Sequence, residues 1–184
     1  MRLVIVSDLH GQLKTLKYLN DIIEKEKPGG IIIPGDITHR DDVTFLEKLF
    51  EIIRKRKVEA FVISGNSDGA NAQKTIDESS YSINLQSKKI DNYNIYGISE
   101  TEDFAIPDSS KISGSILVTH RPPLKSLLNQ KFSNAPKFHI NGHIHSGAYV
   151  KHYPSTVHIQ VPTLQTGRYA TFDTHSYKVE FLSI

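Results

Sequence analysis

The feature that most constrains the fold is an alternation of apolar runs with amphipathic segments in the first part of the chain. The apolar runs at 3–6, 31–33 and 60–63 are continuous rather than alternating. Such runs are typical of central strands that are covered on both faces. Between them, segments 13–23 and 43–53 carry apolar residues at helical spacing. This β-α-β-α-β order predicts a parallel sheet with right-handed crossovers.

Each of these three predicted strands ends in a polar loop. Asp8 and His10 follow the first strand, Asp36 follows the second and Asn66 follows the third. In parallel α/β sheets, ligands bind beyond the carboxyl ends of the strands, so these side chains lie at the binding edge. Carboxylate and imidazole groups on a rigid backbone bind divalent transition metals. The loops therefore predict a metal site at this edge.

The second half of the chain is predicted to form shorter strands with one short helix after Pro122-Pro123. We expect segments 73–80 and 100–113 to be loops that carry substrate specificity. At 41–42, either aspartate can cap the second helix. The predicted strands are 88–90, 93–98, 116–119, 138–141, 148–152, 157–161, 169–173 and 177–182.

Three more histidines follow two of these strands, His120 after the strand at 116–119, and His143 and His145 after the strand at 138–141. A single Asp after a strand is more often a turn residue or a helix cap, and a single His is usually an ordinary core or surface residue. The joint arrangement of seven such residues at strand ends favours a metal site. The remaining histidines considered are assigned to the ordinary class: His139, His152, His158 and His175.

Composition narrows the class of protein. The chain has 184 residues, of which 38% are hydrophobic and 23% charged, so we expect one globular domain over 1–184. The net charge of +2 indicates no nucleic-acid surface by itself. The basic run at 54–57 ends a predicted helix, where cations complement the helix dipole, and we interpret it as a solvated face rather than a nucleic-acid site.

The chain contains no cysteine, which excludes disulfides, thiolate zinc sites and cysteine nucleophiles. No apolar run approaches the ~18 residues that a membrane span requires. Because Asp8 and His10 follow Met1 closely, we expect no signal peptide and a cytoplasmic protein.

Five short blocks carry the candidate ligand residues: Asp8-Leu9-His10, Gly35-Asp36, Gly65-Asn66-Ser67-Asp68, Thr119-His120 and Gly142-His143-Ile144-His145. They resemble the signature blocks of the calcineurin-like metallophosphoesterase family, and more closely those of its small single-domain bacterial and archaeal members. The resemblance implies an α/β fold, a four-layer sandwich of two mixed β-sheets flanked by α-helices. It also implies a phosphoesterase that carries two divalent metal ions.

The family pattern implies two overlapping ligand sets in which Asp36 bridges the ions. Manganese is the expected metal, and iron, zinc and nickel also suit these ligands. A metal-bridging hydroxide would attack a small phosphorylated substrate in line, and the Asn66 amide would also hydrogen-bond the phosphate. The first set is Asp8, His10, Asp36 and His145, and the second is Asp36, Asn66, His120 and His143.

Two positions depart from the family pattern. Ser67 stands where many members have the His that protonates the leaving oxygen, and His39 replaces an Asp that orients that His in the protein phosphatases. We hypothesise that His39 supplies the missing proton. Small members without that His tend to be phosphodiesterases, so a phosphodiester, such as a nucleotide diester, is the expected substrate. Arg40 matches a phosphate-binding Arg of the family, and Arg121 is a weaker candidate.

Two other functions remain open. The first is a non-catalytic metal-binding scaffold that resembles the retromer small subunit, although all seven ligand positions here keep competent side chains. The second is a recombination nuclease, which usually carries further capping and DNA-binding segments. We expect no stable nucleic-acid complex and no membrane association, and the oligomeric state is open.

Overall fold

The computed structural model describes residues 1–99, 109–122 and 135–184. The helix predicted after Pro122-Pro123 and most of the predicted loop 100–113 lie outside these ranges. Within them, the chain forms β1 (Arg2–Ile5), α1 (Leu13–Glu26), β2 (Gly30–Pro34), α2 (Val43–Arg56), β3 (Glu59–Ile63), α3 (Ala70–Glu78), β4 (Ser87–Ile90), β5 (Tyr93–Ile98), α4 (Ser109–Ile112), β6 (Ile116–Thr119), β7 (Phe138–Asn141), β8 (Tyr149–His152), β9 (Val157–Gln160), β10 (Arg168–Asp173) and β11 (Val179–Ser183), with a 3-10 turn at Leu164–Thr166.

The strands form two mixed sheets. The first has five strands in the order β11-β10-β1-β2-β3, and the second has six in the order β4-β5-β6-β7-β9-β8. In the first sheet β1, β2 and β3 are parallel, as the sequence predicts, while β10 runs antiparallel to β1. In the second sheet β5, β6, β7 and β9 are parallel and both edge strands are antiparallel. The carboxyl ends of the parallel strands therefore lie at one edge of each sheet.

The strand β1 shows why its sequence is apolar throughout. Leu3 and Ile5 belong to the core between the two sheets, whereas Val4 belongs to the core between the first sheet and helices α1, α2 and α3. Successive side chains of a strand point to opposite faces, so both faces of β1 are covered. On the outer face of the second sheet, Ile112 of α4 lies in a third cluster with Leu117. Two mixed sheets flanked by helices confirm the predicted α/β sandwich.

The start of α2 is capped by a local residue, whereas the start of α3 is capped by a residue from another loop. Asp42 caps α2, because its carboxylate accepts from Phe45 N at 3.0 Å. The alternative cap, Asp41, instead accepts from Asn71 N at 2.7 Å, in the first turn of α3. A carboxylate there satisfies amides that the helix leaves without a partner. Leu13, which the sequence places on the apolar face of α1, is 64% exposed.

The expectation of a loop at 73–80 is wrong, because most of this segment belongs to α3. Only Ala72 and Ile76 are buried in this helix, so its apolar pattern is too short to recognise locally. The end of the predicted loop 100–113 forms α4. The basic run at the end of α2 is ion-paired in part, since Arg56 Nη2 lies 2.8 Å from Glu24 Oε2. None of the helices in the described ranges is long and apolar enough to cross a membrane.

Candidate metal centre

The loops that follow β1 and β2 run side by side at the carboxyl edge of the first sheet. Asp8 N donates to Gly35 O at 3.3 Å, and His10 N donates to Asp36 O at 3.0 Å. Asp8, His10 and Asp36 all have left-handed backbone angles, with φ of 56°, 49° and 51°. Non-glycine residues in this region cost about 1–3 kcal/mol each and cluster at functional sites. The backbone of both loops is thus held in an uncommon conformation that brings these side chains together.

The first group of candidate ligands consists of four side chains. Each of them offers one atom, and these atoms lie within 4.8 Å of one another. His145 Nε2 lies 3.1 Å from His10 Nε2 and 3.4 Å from Asp8 Oδ1. His10 Nε2 lies 3.6 Å from Asp36 Oδ2. The group is Asp8, His10, Asp36 and His145, the set expected for the first ion.

The second group contains Asp36, His120 and His143, again with ligand atoms within 4.8 Å. His120 Nε2 lies 3.2 Å from Asp36 Oδ1 and 3.2 Å from His143 Nδ1. Asp36 therefore belongs to both groups and turns Oδ2 to the first and Oδ1 to the second. A carboxylate placed in this way can bridge two ions.

A backbone contact fixes the His120 ring on the side opposite the candidate ligand atom. Its Nδ1 lies 2.8 Å from the carbonyl oxygen of Pro34, at the end of β2. An Nδ1–H that donates to this carbonyl leaves Nε2 as the free ligand atom, which is the usual support of a metal-binding histidine. His120 is buried, and its pKa is nevertheless raised, since burial lowers it but the hydrogen bond and charge of Asp36 outweigh that effect.

The pKa values of the two buried carboxylates, Asp8 and Asp36, are shifted in opposite directions. Burial raises the pKa of Asp8, with the charge of His120 opposing the shift. Burial also acts to raise the pKa of Asp36, but the hydrogen bond and charge of His120 lower it to about 2. Asp8 Oδ1 is buried and has no hydrogen-bond partner among the described residues. A buried carboxylate oxygen without a hydrogen bond is costly, and a cation is the partner that this donor set fits.

The third loop, at 65–68, contacts Asp36 of the second group of candidate ligands. Ser67 N donates to Asp36 Oδ1 at 2.8 Å, and the buried carboxylate of Asp68 accepts from Gly65 N at 2.8 Å. Asn66 lies between these two contacts and its side chain is exposed. The structure thus places Asn66 in the loop that contacts Asp36, at the surface where a ligand can reach it.

The family model of the calcineurin-like phosphoesterases matches residues 1–165. The chain belongs to this family. No curated protein sequence matches the chain significantly.

Solved structures share the fold over nearly the whole chain. A Thermus thermophilus protein is 15% identical, with a TM-score of 0.74 over 99% of this chain and 98% of its own. A novel archaeal phosphodiesterase is 17% identical, with a TM-score of 0.65 over 100% of both chains. A dimetal phosphatase from Danio rerio is 9% identical, with a TM-score of 0.70 over 100% of this chain and 95% of its own. At these identities the likeness shows the fold alone.

The two departures from the family pattern lie next to each other in the structure. Arg40 N donates to Ser67 O at 2.8 Å, so the loop at 38–40 runs beside Ser67. Ser67 Oγ donates to the carbonyl oxygen of Thr38 at 3.0 Å. His39 is exposed and its backbone packs against Gly11, directly after the candidate ligand His10. His39 and Arg40 thus belong to a loop at the border of the site of this phosphoesterase.

Arg121 is closer to the candidate ligands than the sequence indicates. Its Nη1 lies 3.3 Å from Nε2 of His143, and its charge contributes to the lowered pKa of His143 after burial and His120. In the sequence, the position of Arg121 next to His120 was the sole signal for its placement at the site. Of the four histidines assigned to the ordinary class, His139 and His158 are buried, and His152 and His175 are exposed.

Proposed function

We propose that this protein is a hydrolase of phosphate esters that works with two divalent metal ions and prefers phosphodiesters. The observation that carries the proposal is that the two carboxylate oxygens of Asp36 face different histidines. Oδ2 lies 3.6 Å from His10 Nε2, and Oδ1 lies 3.2 Å from His120 Nε2. A carboxylate shared between two groups of candidate ligands can bridge a pair of adjacent ions, as two-metal hydrolysis needs ions close together. Membership in the calcineurin-like phosphoesterase family supports the reaction class.

The residues on either side of Asp36 would hold one ion each. When bound, two such ions acidify water and neutralise the charge of phosphate oxygens. Asp8 Oδ1 is buried without a hydrogen-bond partner among the described residues, and a bound cation would satisfy it. Manganese is the proposed metal, with iron, zinc or nickel as alternatives for the same ligands. The first ion would be held by Asp8, His10, Asp36 and His145, and the second by Asp36, His120 and His143. Asn66, in the loop that contacts Asp36, would be the fourth ligand of the second ion.

Three exposed side chains around this pair would bind the phosphate group of the substrate. Asn66 offers an amide N–H from the loop that contacts Asp36. Arg40 comes from the loop beside Ser67, and Arg121 lies against His143. A guanidinium forms paired hydrogen bonds with phosphate oxygens, so either arginine suits this role.

The preference for diesters follows the family pattern, in which small members without the usual His at the position of Ser67 tend to be phosphodiesterases. The Ser67 hydroxyl donates to Thr38 O at 3.0 Å, so its proton is already engaged by the protein. A serine hydroxyl is also a poor acid near neutral pH. We propose that His39, in the neighbouring loop, protonates the leaving oxygen. The expected substrate is a small molecule, such as a nucleotide diester. A cytoplasmic location, a single domain over 1–184 and the absence of a stable nucleic-acid complex stay predictions.

The test uses chelator-treated protein with an activated diester, bis(4-nitrophenyl) phosphate, and the matching monoester, 4-nitrophenyl phosphate. Added Mn²⁺ should restore hydrolysis, with the diester cleaved faster than the monoester. Asp36→Asn should abolish the restored activity, whereas Asp21→Asn, at an exposed carboxylate paired with Lys17, should retain it.

Each contrary result has a definite meaning. Hydrolysis of the monoester alone would overturn the diester preference and keep the reaction class. Absence of hydrolysis of both esters, with Mn²⁺ bound, would instead support the scaffold function.

A further inference from the structure

Two buried amide side chains lie beneath the loop that carries His143 and His145. Asn141 ends β7 and Gln160 ends β9, and the two residues are paired neighbours in the second sheet. Both are fully buried. Asn141 Nδ2 donates to Gln160 Oε1 at 2.7 Å, and Asn141 Oδ1 contacts Nε2 of the buried His158. Neither residue belongs to the two ligand sets that the family pattern implies.

Both amides converge on one carbonyl oxygen. Gln160 Nε2 donates to Gly142 O at 2.7 Å, and Asn141 Nδ2 donates to the same oxygen at 2.9 Å. The second N–H of Gln160 reaches Val161 O at 3.0 Å. Every donor and acceptor of the Gln160 amide is therefore satisfied inside the protein. Fully satisfied buried networks of this kind rigidify the segment that they contact.

The fixed carbonyl determines the direction of the next N–H. Gly142 C=O and His143 N–H belong to one planar trans peptide unit, so they point in opposite directions. The carbonyl faces Gln160, and the N–H donates to Asp8 Oδ2 at 3.1 Å. Asp8 is thereby held by a peptide whose other side is held by Gln160. His143 itself has a left-handed φ of 67°, which an unsupported loop would tend to relax.

Two glycines of the loop leave space for the side chains of Gln160 and Asp8. A Cβ on Gly147, the next glycine along the same loop, would lie 2.8 Å from Gln160 Cγ. A Cβ on Gly142 would lie 2.8 Å from Asp8 Oδ2. The chain thus has glycine at two points where a Cβ would collide with Gln160 or with Asp8. The loop, the amide pair and the carboxylate are packed as one unit.

We propose that Gln160 is a positioning residue for the metal centre, which orients Asp8 and His143 through the peptide between Gly142 and His143. The inference rests on the proposed function, since it assigns to Gln160 a role in metal binding at that same site. Removal of a residue that supports metal ligands typically lowers metal affinity about 10- to 100-fold. We expect a loss in this range for both ions, because Asp8 and His143 belong to different ligand groups.

The experiment compares Gln160→Met, which keeps the length and removes the amide, with Gln160→Glu, which keeps the shape and loses the donor when ionised. The control is Ile159→Val, one residue earlier in β9, whose side chain lies in the core between the sheets. Co²⁺ affinity and the visible Co²⁺ absorption spectrum are measured on chelator-treated protein, together with thermal unfolding.

Wild-type protein and Ile159→Val should share one affinity and one spectrum, even though the control loses some stability. Both Gln160 variants should bind Co²⁺ about tenfold or more weakly, with a shifted spectrum. A folded Gln160 variant with wild-type affinity and spectrum would overturn the inference and leave the proposed function intact. Failure of the wild-type protein to bind Co²⁺ or Mn²⁺ would overturn the proposed function itself, and the inference with it.

Discussion

His120 Nε2 lies 3.2 Å from Asp36 Oδ1, and this contact joins the two sheets at the metal centre. Asp36 follows β2 of the first sheet, whereas His120 follows β6 of the second. The apolar core between the sheets, which includes Ile32 and Val118, determines how the two loops meet. The candidate site therefore depends on the docking of one sheet against the other.

Gly65 lies against this contact and gives a first prediction. A Cβ on Gly65 would lie 2.5 Å from Asp36 N and 2.8 Å from His120 Cγ. Overpacking of this kind typically costs 1–3 kcal/mol, so Gly65→Ala should lower stability by about that amount and weaken Mn²⁺ binding. Gly114→Ala is the control, because φ is 65° there but no atom lies within 4 Å of the added Cβ. The control should lose stability alone. Unchanged Mn²⁺ affinity in Gly65→Ala would contradict the prediction.

The ends of the buried strands were predictable from sequence because their residues are apolar on both faces and end abruptly in turn formers. This pattern located Asp8, Asp36 and His120 correctly at strand ends. The assignment of ligands to two groups came instead from the family resemblance, since spacing along the chain does not reveal which oxygen of Asp36 faces which histidine. The structure now supplies those two distances.

Other features had no local signal. The first turn of α3 is capped by Asp41 from a different loop, so the start of the helix has no signal in the sequence of 70–78. Its apolar pattern is also too short to recognise, because only Ala72 and Ile76 are buried. Gln160 is an ordinary residue type at the end of a strand, and its role depends on the carbonyl of Gly142, which comes from another strand end. Arg121 likewise gains its place through a tertiary contact with His143.

The proposed acid gives a second prediction. His39→Ala should slow the hydrolysis of diesters with poor leaving groups by about 10²-fold or more, and should affect activated nitrophenyl diesters much less. His152→Ala, at an exposed histidine on the edge strand β8, is the matched control. The measurement is kcat across a series of diesters of increasing leaving-group pKa. Equal losses across the series would rule out proton donation by His39.

The two candidate phosphate-binding arginines give a third prediction. Arg121→Ala and Arg40→Ala should each raise KM about tenfold or more, because each removes a charged hydrogen-bond donor to the phosphate. Arg54→Ala, at the exposed end of α2, should leave KM unchanged. Steady-state kinetics at saturating Mn²⁺ provides the comparison. A variant with wild-type KM would remove that arginine from substrate binding.

Two buried histidines predict how stability depends on pH. Burial is the main cause that lowers the pKa of His139 to about 3 and that of His158 to about 4. An unfolded histidine titrates near pH 6.5, so below that pH the unfolded chain binds protons that the folded protein excludes. The free energy of unfolding should therefore fall as the pH is lowered from 6.5 towards 4, by about 1.4 kcal/mol per pH unit for each fully buried histidine.

His139→Gln should reduce the pH dependence by the contribution of one histidine, about 1.4 kcal/mol per pH unit. Ile159→Val, in the core between the sheets, changes no titratable group and should leave the slope unchanged. Urea unfolding of chelator-treated protein between pH 6.5 and pH 4.5 measures the slopes. Equal slopes for His139→Gln and the wild-type protein would show that His139 does not contribute.

The number of Mn²⁺ ions bound per chain tests the two-metal account most directly. Calorimetric titration of chelator-treated protein should give two ions for the wild type and for Asp21→Asn. Asp36→Asn should lose high-affinity binding at both sites, because the Asp36 carboxylate belongs to both ligand groups. A single ion bound by the wild type, or two ions bound with undiminished affinity by Asp36→Asn, would contradict the account.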